Sequence, residues 1–258
     1  MAVEGFDLSG KNALVIGAGS SVGRAIALAL AEAGARVTVA SAGEGKDEVA
    51  AAEETARQLA ARGQNTAAKR LNPTVLDKVE AVVDHAASEM GGIDILVNCC
   101  DLFVAKPVAE ITPDEWGKVL RQNLDSVFFA CKAVGPHMLK QKKGRIINVA
   151  SGLGERGLPN CSAYCAAKGG VLNLSRALAQ EWAAQGITVN CIAPAWMEDT
   201  PGLGDPNPEA NRLIRFIPMR RAGKPEEVGP LAVYLASDSA GYMTGRTIFV
   251  DGGLLAHL

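Results

Sequence analysis

Aromatic residues are scarce in this chain, net charge is nearly absent, and no long apolar run occurs. With 6 Phe, 3 Trp and 3 Tyr in 258 residues against 28 Gly, the interior must be filled by small and aliphatic side chains, which favours helices packed closely on a sheet. Lys plus Arg is 26 and Asp plus Glu is 28. A formal charge of −2 leaves no basic footprint for nucleic acid and no polybasic anchor for a membrane surface. No stretch approaches the ~18 uninterrupted apolar residues of a membrane-spanning helix. Met1 to Gly10 has neither the basic nor the apolar segment of a secretory signal, so the expected location is cytoplasmic. Disorder is excluded from the other side, because 48% of the residues are hydrophobic and 21% charged.

Cysteine is present but patterned for neither disulfides nor metal. Cys99, Cys100, Cys131 and Cys191 fall in apolar strand-like or helix-like segments, so reduced core thiols are expected. Cys161 and Cys165 lack a second ligand pair, and no metal site is expected. Cys99-Cys100 reads as small buried packing in preference to a redox switch.

Short β-rich runs alternate with longer helical patterns. Strands are expected at Ala13–Ile16, Arg36–Ala40, Thr66–Leu71, Ile93–Val97, Arg145–Val149, Ile187–Ile192 and Arg246–Val250. Helices are expected at Val22–Ala33, Lys46–Ala61, Val75–Met90, Pro113–Leu139 (bent near Gly135-Pro136), Ser162–Ala184 and Pro225–Ala236. Strands separated by helices imply right-handed βαβ units. The expected fold is α/β: a Rossmann-type doubly wound parallel sheet of about seven strands, helices on both faces, in a single domain over 1–258. The Pro- and Gly-rich stretch from Ala195 to about 217 reads as a substrate loop or lid, with a disordered insertion as the alternative.

The first strand runs into Gly17-Ala18-Gly19-Ser20-Ser21-Val22-Gly23 and then a helix. A glycine-rich strand-to-helix turn lets the backbone approach a pyrophosphate, while the helix N-terminus supplies free N–H groups and the positive dipole end. Alone, this turn is also compatible with an ordinary βα connection. From Leu8 to Gly253, however, the chain resembles the single-domain short-chain dehydrogenase/reductases, in particular bacterial 3-oxoacyl-carrier-protein reductases and alcohol dehydrogenases. Gly17 and Gly23 match the family's glycine motif, with Ile16 at its threonine position and Ser21 at its middle glycine.

The resemblance extends to the catalytic set. Tyr164 and Lys168 stand at i and i+4 on one helix face, Ser151 closes a strand thirteen residues before Tyr164, and Asn123 matches the family's helix asparagine. Hydride transfer to a ketone leaves an alkoxide that needs a proton. A phenol gives one poorly near neutral pH because its unperturbed pKa is about 10, and a lysine ammonium nearby favours the phenolate. Tyr164 is then the expected general acid in reduction and base in oxidation, and Ser151 the donor to the substrate oxygen. The resemblance adds a nicotinamide-ribose contact for Lys168 and a relay water for Asn123. The plainer alternative is that Tyr164 packs on a helix face and Ser151 caps a turn.

The departures from the family pattern cluster on the cofactor side. The family's Asn-Asn-Ala-Gly is Asn98-Cys99-Cys100-Asp101, which puts a carboxylate on the nicotinamide side where it must point away or find a partner. Leu71 and Asn72 stand where the family binds adenine, but Pro73 has no N–H to donate. Pro194-Ala195 replaces Pro-Gly, and Thr200 falls one residue late for the nicotinamide amide. Asp251-Gly252-Gly253 matches a C-terminal signature and reads as structural. The second strand ends in Ser41-Ala42 with no acid to select NAD. Ser20, Ser41 and Lys46 can meet a 2′-phosphate, so NADP(H) is favoured over NAD(H).

By resemblance, Gly17, Gly19, Ser20, Ser21, Val22, Gly23, Ser41, Ala42, Leu71, Asn72, Asn98, Cys99, Cys100, Tyr164, Lys168, Pro194, Ala195 and Met197 bind the dinucleotide. Ser151, Gly152, Leu153, Cys161, Tyr164, Trp196 and Met197 line the substrate pocket, with Glu155, Arg156 and Asn160 nearby. Trp196 is equally an anchor for the lid. Pro136 and Gln180, where carrier-protein users present arginines, argue against an acyl-carrier substrate. The expected partners are a small ketone or alcohol and further copies of the chain in a homotetramer or homodimer, with Ala163, Ala166, Ala167 and Gly170 permitting close helix contact. A non-catalytic dinucleotide sensor on the same fold is the alternative function.

Overall fold

The structure, a computed structural model, describes residues 5–200 and 213–256. Seven strands, β1 (Asn12–Ile16), β2 (Arg36–Ala40), β3 (Ala68–Lys69), β4 (Ile95–Asn98), β5 (Gly144–Val149), β6 (Ile187–Pro194) and β7 (Thr247–Val250), form one sheet in the order β3-β2-β1-β4-β5-β6-β7. Every pairing is parallel. The helices are α1 (Ser21–Glu32), α2 (Lys46–Ala60), α3 (Leu76–Met90), α4 (Pro113–Leu120), α5 (Ser126–Gln141), α6 (Ser162–Trp182) and α7 (Gly229–Ala236). Residues 213–216 add a helical turn.

Strand residues alternate between two cores, as the period of two dictates. Leu14, Ile16, Leu96 and Ile146 face α3, α5 and α6, and Ala13, Val15, Val97, Ile147 and Ile192 face α1, α2 and α7. With both faces covered, β1, β4 and β6 consist of near-continuous buried residues. The chain winds outward through β2 and β3, then returns to place β4 beside β1, with Ile16 opposite Asn98. A crevice opens at the carboxyl ends of these strands, the usual ligand site of such sheets.

Three elements depart from the sequence reading. The expected third strand at Thr66–Leu71 is only Ala68–Lys69, because it pairs with β2 alone at the sheet edge. The expected helix at Pro225–Ala236 is a short 3₁₀ turn followed by α7. The expected helix at Pro113–Leu139 is α4 and α5, joined by a π-helical turn over Arg121–Asp125, and α5 runs on through Pro136. In that wide turn the Asn123 amide donates to the Val119 carbonyl at 2.9 Å and the Ser126 hydroxyl to the Gln122 carbonyl at 2.7 Å. Side chains thus supply partners where the helical ladder changes step.

The expected helix contact between copies is also revised. Ala163 and Ala167 are buried within the chain, in the cluster that holds Tyr164. A Cβ on Gly170 would lie 2.8 Å from Leu124 of the π turn. Three of these four small residues therefore serve packing inside the chain. Of the expected loop at 195–217, residues 201–212 lie outside the described residues.

Candidate active site

The crevice contains a cavity of about 240 Å³. It is lined by Ser20, Ser21 and Val22 at the head of α1, Cys99, Cys100 and Asp101 after β4, Ser151–Leu153 after β5, Tyr164 and Lys168 of α6, and Pro194–Met197 after β6. One wall of this cavity is built by the β1–α1 turn. Gly17 has φ +83°, and a Cβ there would lie 2.5 Å from the Cys99 carbonyl oxygen, so only glycine fits. Ser20 caps α1 by accepting from Gly23 N–H at 3.0 Å and donates to the Gly17 carbonyl at 3.0 Å. Among the described residues, the N–H groups of Ser21 and Val22 have no protein acceptor. They are the orphan donors of a helix start opening on this cavity, and they fit a phosphate-bearing ligand.

The proton-handling residues come together across the cavity. The Tyr164 hydroxyl donates to Asp101 Oδ1 at 2.8 Å. The Lys168 ammonium, 1% exposed, lies 2.8 Å from the same oxygen and also donates to the carbonyls of Cys100 and Val149, each at 3.4 Å. Lys168 sits 5.5 Å from the Tyr164 ring centroid. Asp101, flagged by its sequence position as needing a partner, thus has two. Burial pushes the Tyr164 phenol well above its ordinary range, the Asp101 charge and the hydrogen bond to it push further in the same direction, and the Ser151 hydroxyl opposes them. This outcome is opposite to the lowering expected from Lys168 alone. Phe103, edge-on to both Tyr164 and Trp196 with centroids 5.1 and 6.2 Å away, walls the site from the side.

Several sequence-predicted residues are held differently from expectation. Asn123 is completely buried, and its side chain accepts from Leu102 N–H at 3.1 Å and donates to the Leu102 carbonyl at 3.0 Å, clamping the segment after β4. Ser151 accepts from Leu153 N–H at 3.2 Å. The buried Ser41 hydroxyl donates to the Gly43 carbonyl at 2.6 Å and accepts from Leu71 N–H at 3.0 Å, so it ties the loop after β2 to the one after β3 and faces no 2′-phosphate. Asn72 accepts from both the backbone and the hydroxyl of Thr74, at 3.1 and 2.8 Å, which leaves only its amide for a ligand. Thr200 accepts from Met197 N–H at 3.0 Å, and Ala195 N–H is paired with Val250.

Gly17, Gly19, Gly23, Asn98, Leu71 and Ala42 do not line the cavity; they shape its surroundings. Cys161, expected in the pocket, is buried at the head of α6 outside the lining, and the exposed Glu155, Arg156 and Asn160 do not line the cavity either. Conversely, Phe103, Val149, Ala150 and Leu254 line it beyond the expected residues, and Asp199 lines it from the expected loop. Phe103 lies only two residues beyond Asp101 in an apolar run, a signal that was present. Leu254 is delivered by the Asp251-Gly252-Gly253 turn, where the carboxylate accepts from Gly253 and Leu255 N–H at 2.9 and 2.8 Å. Burial raises the Cys99 and Cys100 thiols to about 11 and about 12, which suits packing and not redox work. Among the described residues no cluster could hold a metal ion, and no helix is long and apolar enough to cross a membrane.

Known proteins share this architecture. A family model described as enoyl-(acyl carrier protein) reductase matches residues 17–255. The 3-oxoacyl-[acyl-carrier-protein] reductase FabG of Staphylococcus epidermidis is 37% identical over 246 residues, covering 95% of this chain and 98% of the relative. Nodulation protein G of Rhizobium sp. strain N33 is 38% identical, covering 96% and 98%. The crystal structure of a gluconate 5-dehydrogenase from Burkholderia cenocepacia J2315, in complex with NADP and tartrate, superposes with a TM-score of 0.92 at 32% identity and covers all of both chains. The parallel sheet, the crevice at its switch point and these relatives agree, and the chain belongs to the short-chain dehydrogenase/reductase family of oxidoreductases.

Proposed function

We propose that the protein is an NADP(H)-dependent reductase or dehydrogenase of a small ketone/secondary-alcohol pair, with Tyr164 as its proton donor and acceptor. The observation that carries this reading is the Tyr164 hydroxyl and the buried Lys168 ammonium meeting in one cavity at the switch point, beside Ser151. When bound, the nicotinamide supplies or accepts a hydride at the carbonyl carbon. The orphan N–H groups of Ser21 and Val22 hold its diphosphate. The phenol O–H of Tyr164 breaks as its proton passes to the carbonyl oxygen, and Ser151 donates to that oxygen as charge develops. Lys168 takes the nicotinamide ribose. Asn123 acts by clamping Leu102, fixing the segment that carries Asp101 and Phe103.

NADP(H) is the preferred dinucleotide in this reading. Supporting it are the absence of an acid at Ser41-Ala42 and the exposed Lys46 at the start of α2. The NADP complex of the gluconate 5-dehydrogenase neighbour also supports it. Phe103, Leu153, Trp196 and Leu254 make the pocket mostly apolar, suiting a compact substrate. A cytoplasmic homotetramer or homodimer is part of the same proposal, and the exposed Trp116 and Phe128 of α4 and α5 offer a face for it. Tyr164→Phe is expected to lower turnover of a ketone panel by at least about a hundredfold while NADPH fluorescence titration stays unchanged. Undiminished turnover would sink the mechanism. Absence of binding by either dinucleotide near millimolar concentration would favour the sensor alternative.

A further inference from the structure

We propose that Asp101 is a third ionisable member of the site: its carboxylate, shared between the Tyr164 hydroxyl and the Lys168 ammonium, holds the phenol protonated and fits the site to carbonyl reduction. This rests on the reading of Tyr164 as the proton-transferring group.

Geometry carries the argument. One oxygen, Oδ1, is 2.8 Å from both the phenol oxygen and the ammonium nitrogen. A carboxylate only accepts, so in this arrangement the phenol must keep its proton. Lys168, which unopposed would stabilise a phenolate, has its charge offset by the nearer carboxylate. Losing the Tyr164 proton would set two anions on one hydrogen bond in a largely desolvated place, with Tyr164 6% exposed. Asp101 itself is 45% exposed, so it is in contact with solvent from which the phenolate left by each reduction can be reprotonated.

Among the described residues the other titratable groups at this cavity are few. Cys99 and Cys100 adjoin Asp101 on the segment after β4, and Asp199 lines the cavity from beyond β6. Asn123 of the π turn, Ser151 after β5 and Ser20–Val22 of α1 carry no charge there. Burial and Asp101 both raise the Tyr164 phenol. The sign for catalysis follows. Reduction uses the neutral phenol and runs below its pKa. Oxidation uses the phenolate and runs above it. A raised pKa extends reduction to higher pH and postpones oxidation.

Asp101→Asn and Asp101→Gly test this, with Tyr164→Phe as the subtraction that isolates Tyr164 from Tyr234 and Tyr242 in an ultraviolet phenolate titration of the dinucleotide-free protein. Both Asp101 variants are expected to bring the Tyr164 midpoint down by about one pH unit or more. The alkaline onset of alcohol oxidation in the loaded enzyme is expected to fall by the same amount, about a tenfold gain in oxidation rate on that limb. An unchanged or higher midpoint in a folded Asp101 variant, or an oxidation onset that stays in place, overturns the proposal. Turnover that survives Tyr164→Phe overturns the underlying reading instead, whatever the Asp101 variants do.

Discussion

Beneath the site, a line of buried polar side chains crosses the sheet and the helix above it. Asn98 donates to Asn148 at 2.8 Å, Asn148 to Ser175 at 2.8 Å, and the Cys191 thiol to Ser175 at 3.0 Å. Asn98 and Asn148 are opposite one another in register, and Asn148 is opposite Cys191. The Asn98 amide oxygen has no partner, but Asn148 accepts from Asn98 and donates to Ser175, so removing it costs both neighbours a bond. Asn148→Ala is expected to lower stability by about 2–4 kcal/mol, the range for a lost buried hydrogen-bonding group plus a small cavity. A urea midpoint shift at constant slope measures it; a change under ~0.5 kcal/mol would show the line to be dispensable. Tyr164, Lys168, Ser151 and Asn123 were legible as candidates because the chain resembles the family's motif at those positions. The Asp101 contact was not, because no spacing rule connects position 101 to 164 and 168.

Among the elements, α4 and the π turn matter most to the site, since they carry Asn123 and with it the segment after β4. Helix α4 begins in a complete capping box. Thr112 accepts from Glu115 N–H at 3.2 Å and the Glu115 carboxylate accepts from Thr112 N–H at 2.8 Å, while Lys106 pairs with Glu115 at 2.9 Å. The Thr112 backbone bond, followed by Lys106, brings the exposed Glu115 carboxyl down to about 2. Thr112→Ala is expected to destabilise by about 1 kcal/mol and to speed hydrogen exchange in the first turn of α4 ahead of the strands. Equal exchange in that turn would mean that packing, not the cap, holds α4. The start of this helix was legible, since the sequence reading begins it at Pro113 as observed. Its end was not, because the break at 121–125 depends on Ser126 and Asn123 side chains taking helix carbonyls and on Leu124 pressing against Gly170, a contact across 46 residues of sequence.

For the whole molecule, the proposed diphosphate and proton-transfer ends of the crevice fall on different βα connections in this sheet order, so on that proposal ligand binding ties α1, the segment after β4 and α6 together. Binding to the folded state alone raises stability by ~2.7 kcal/mol at a hundredfold excess over Kd, a melting shift of roughly 5–10 °C for a domain near this size. NADPH is expected to give a larger shift than NADH at equal concentration, and Tyr164→Phe to retain it. Equal shifts would remove the case for a 2′-phosphate contact at Lys46.

By itself the sequence determined the alternation of strands and helices and the glycine turn before α1, because local periodicity and turn chemistry encode them, and resemblance to the family singled out Tyr164, Lys168, Ser151 and Asn123 as candidates. Tertiary structure alone decided that the third strand shrinks to two residues, that Ala163, Ala167 and Gly170 serve the interior, that Ser41 ties the loops after β2 and β3 together, and that Asn72 accepts within its own loop. It also decided the state of the phenol. Whether Lys168 lowers it or Asp101 and burial raise it depends on which charge lies nearer in space and how little water reaches them, and that is settled only when β4, β5 and α6 are packed together.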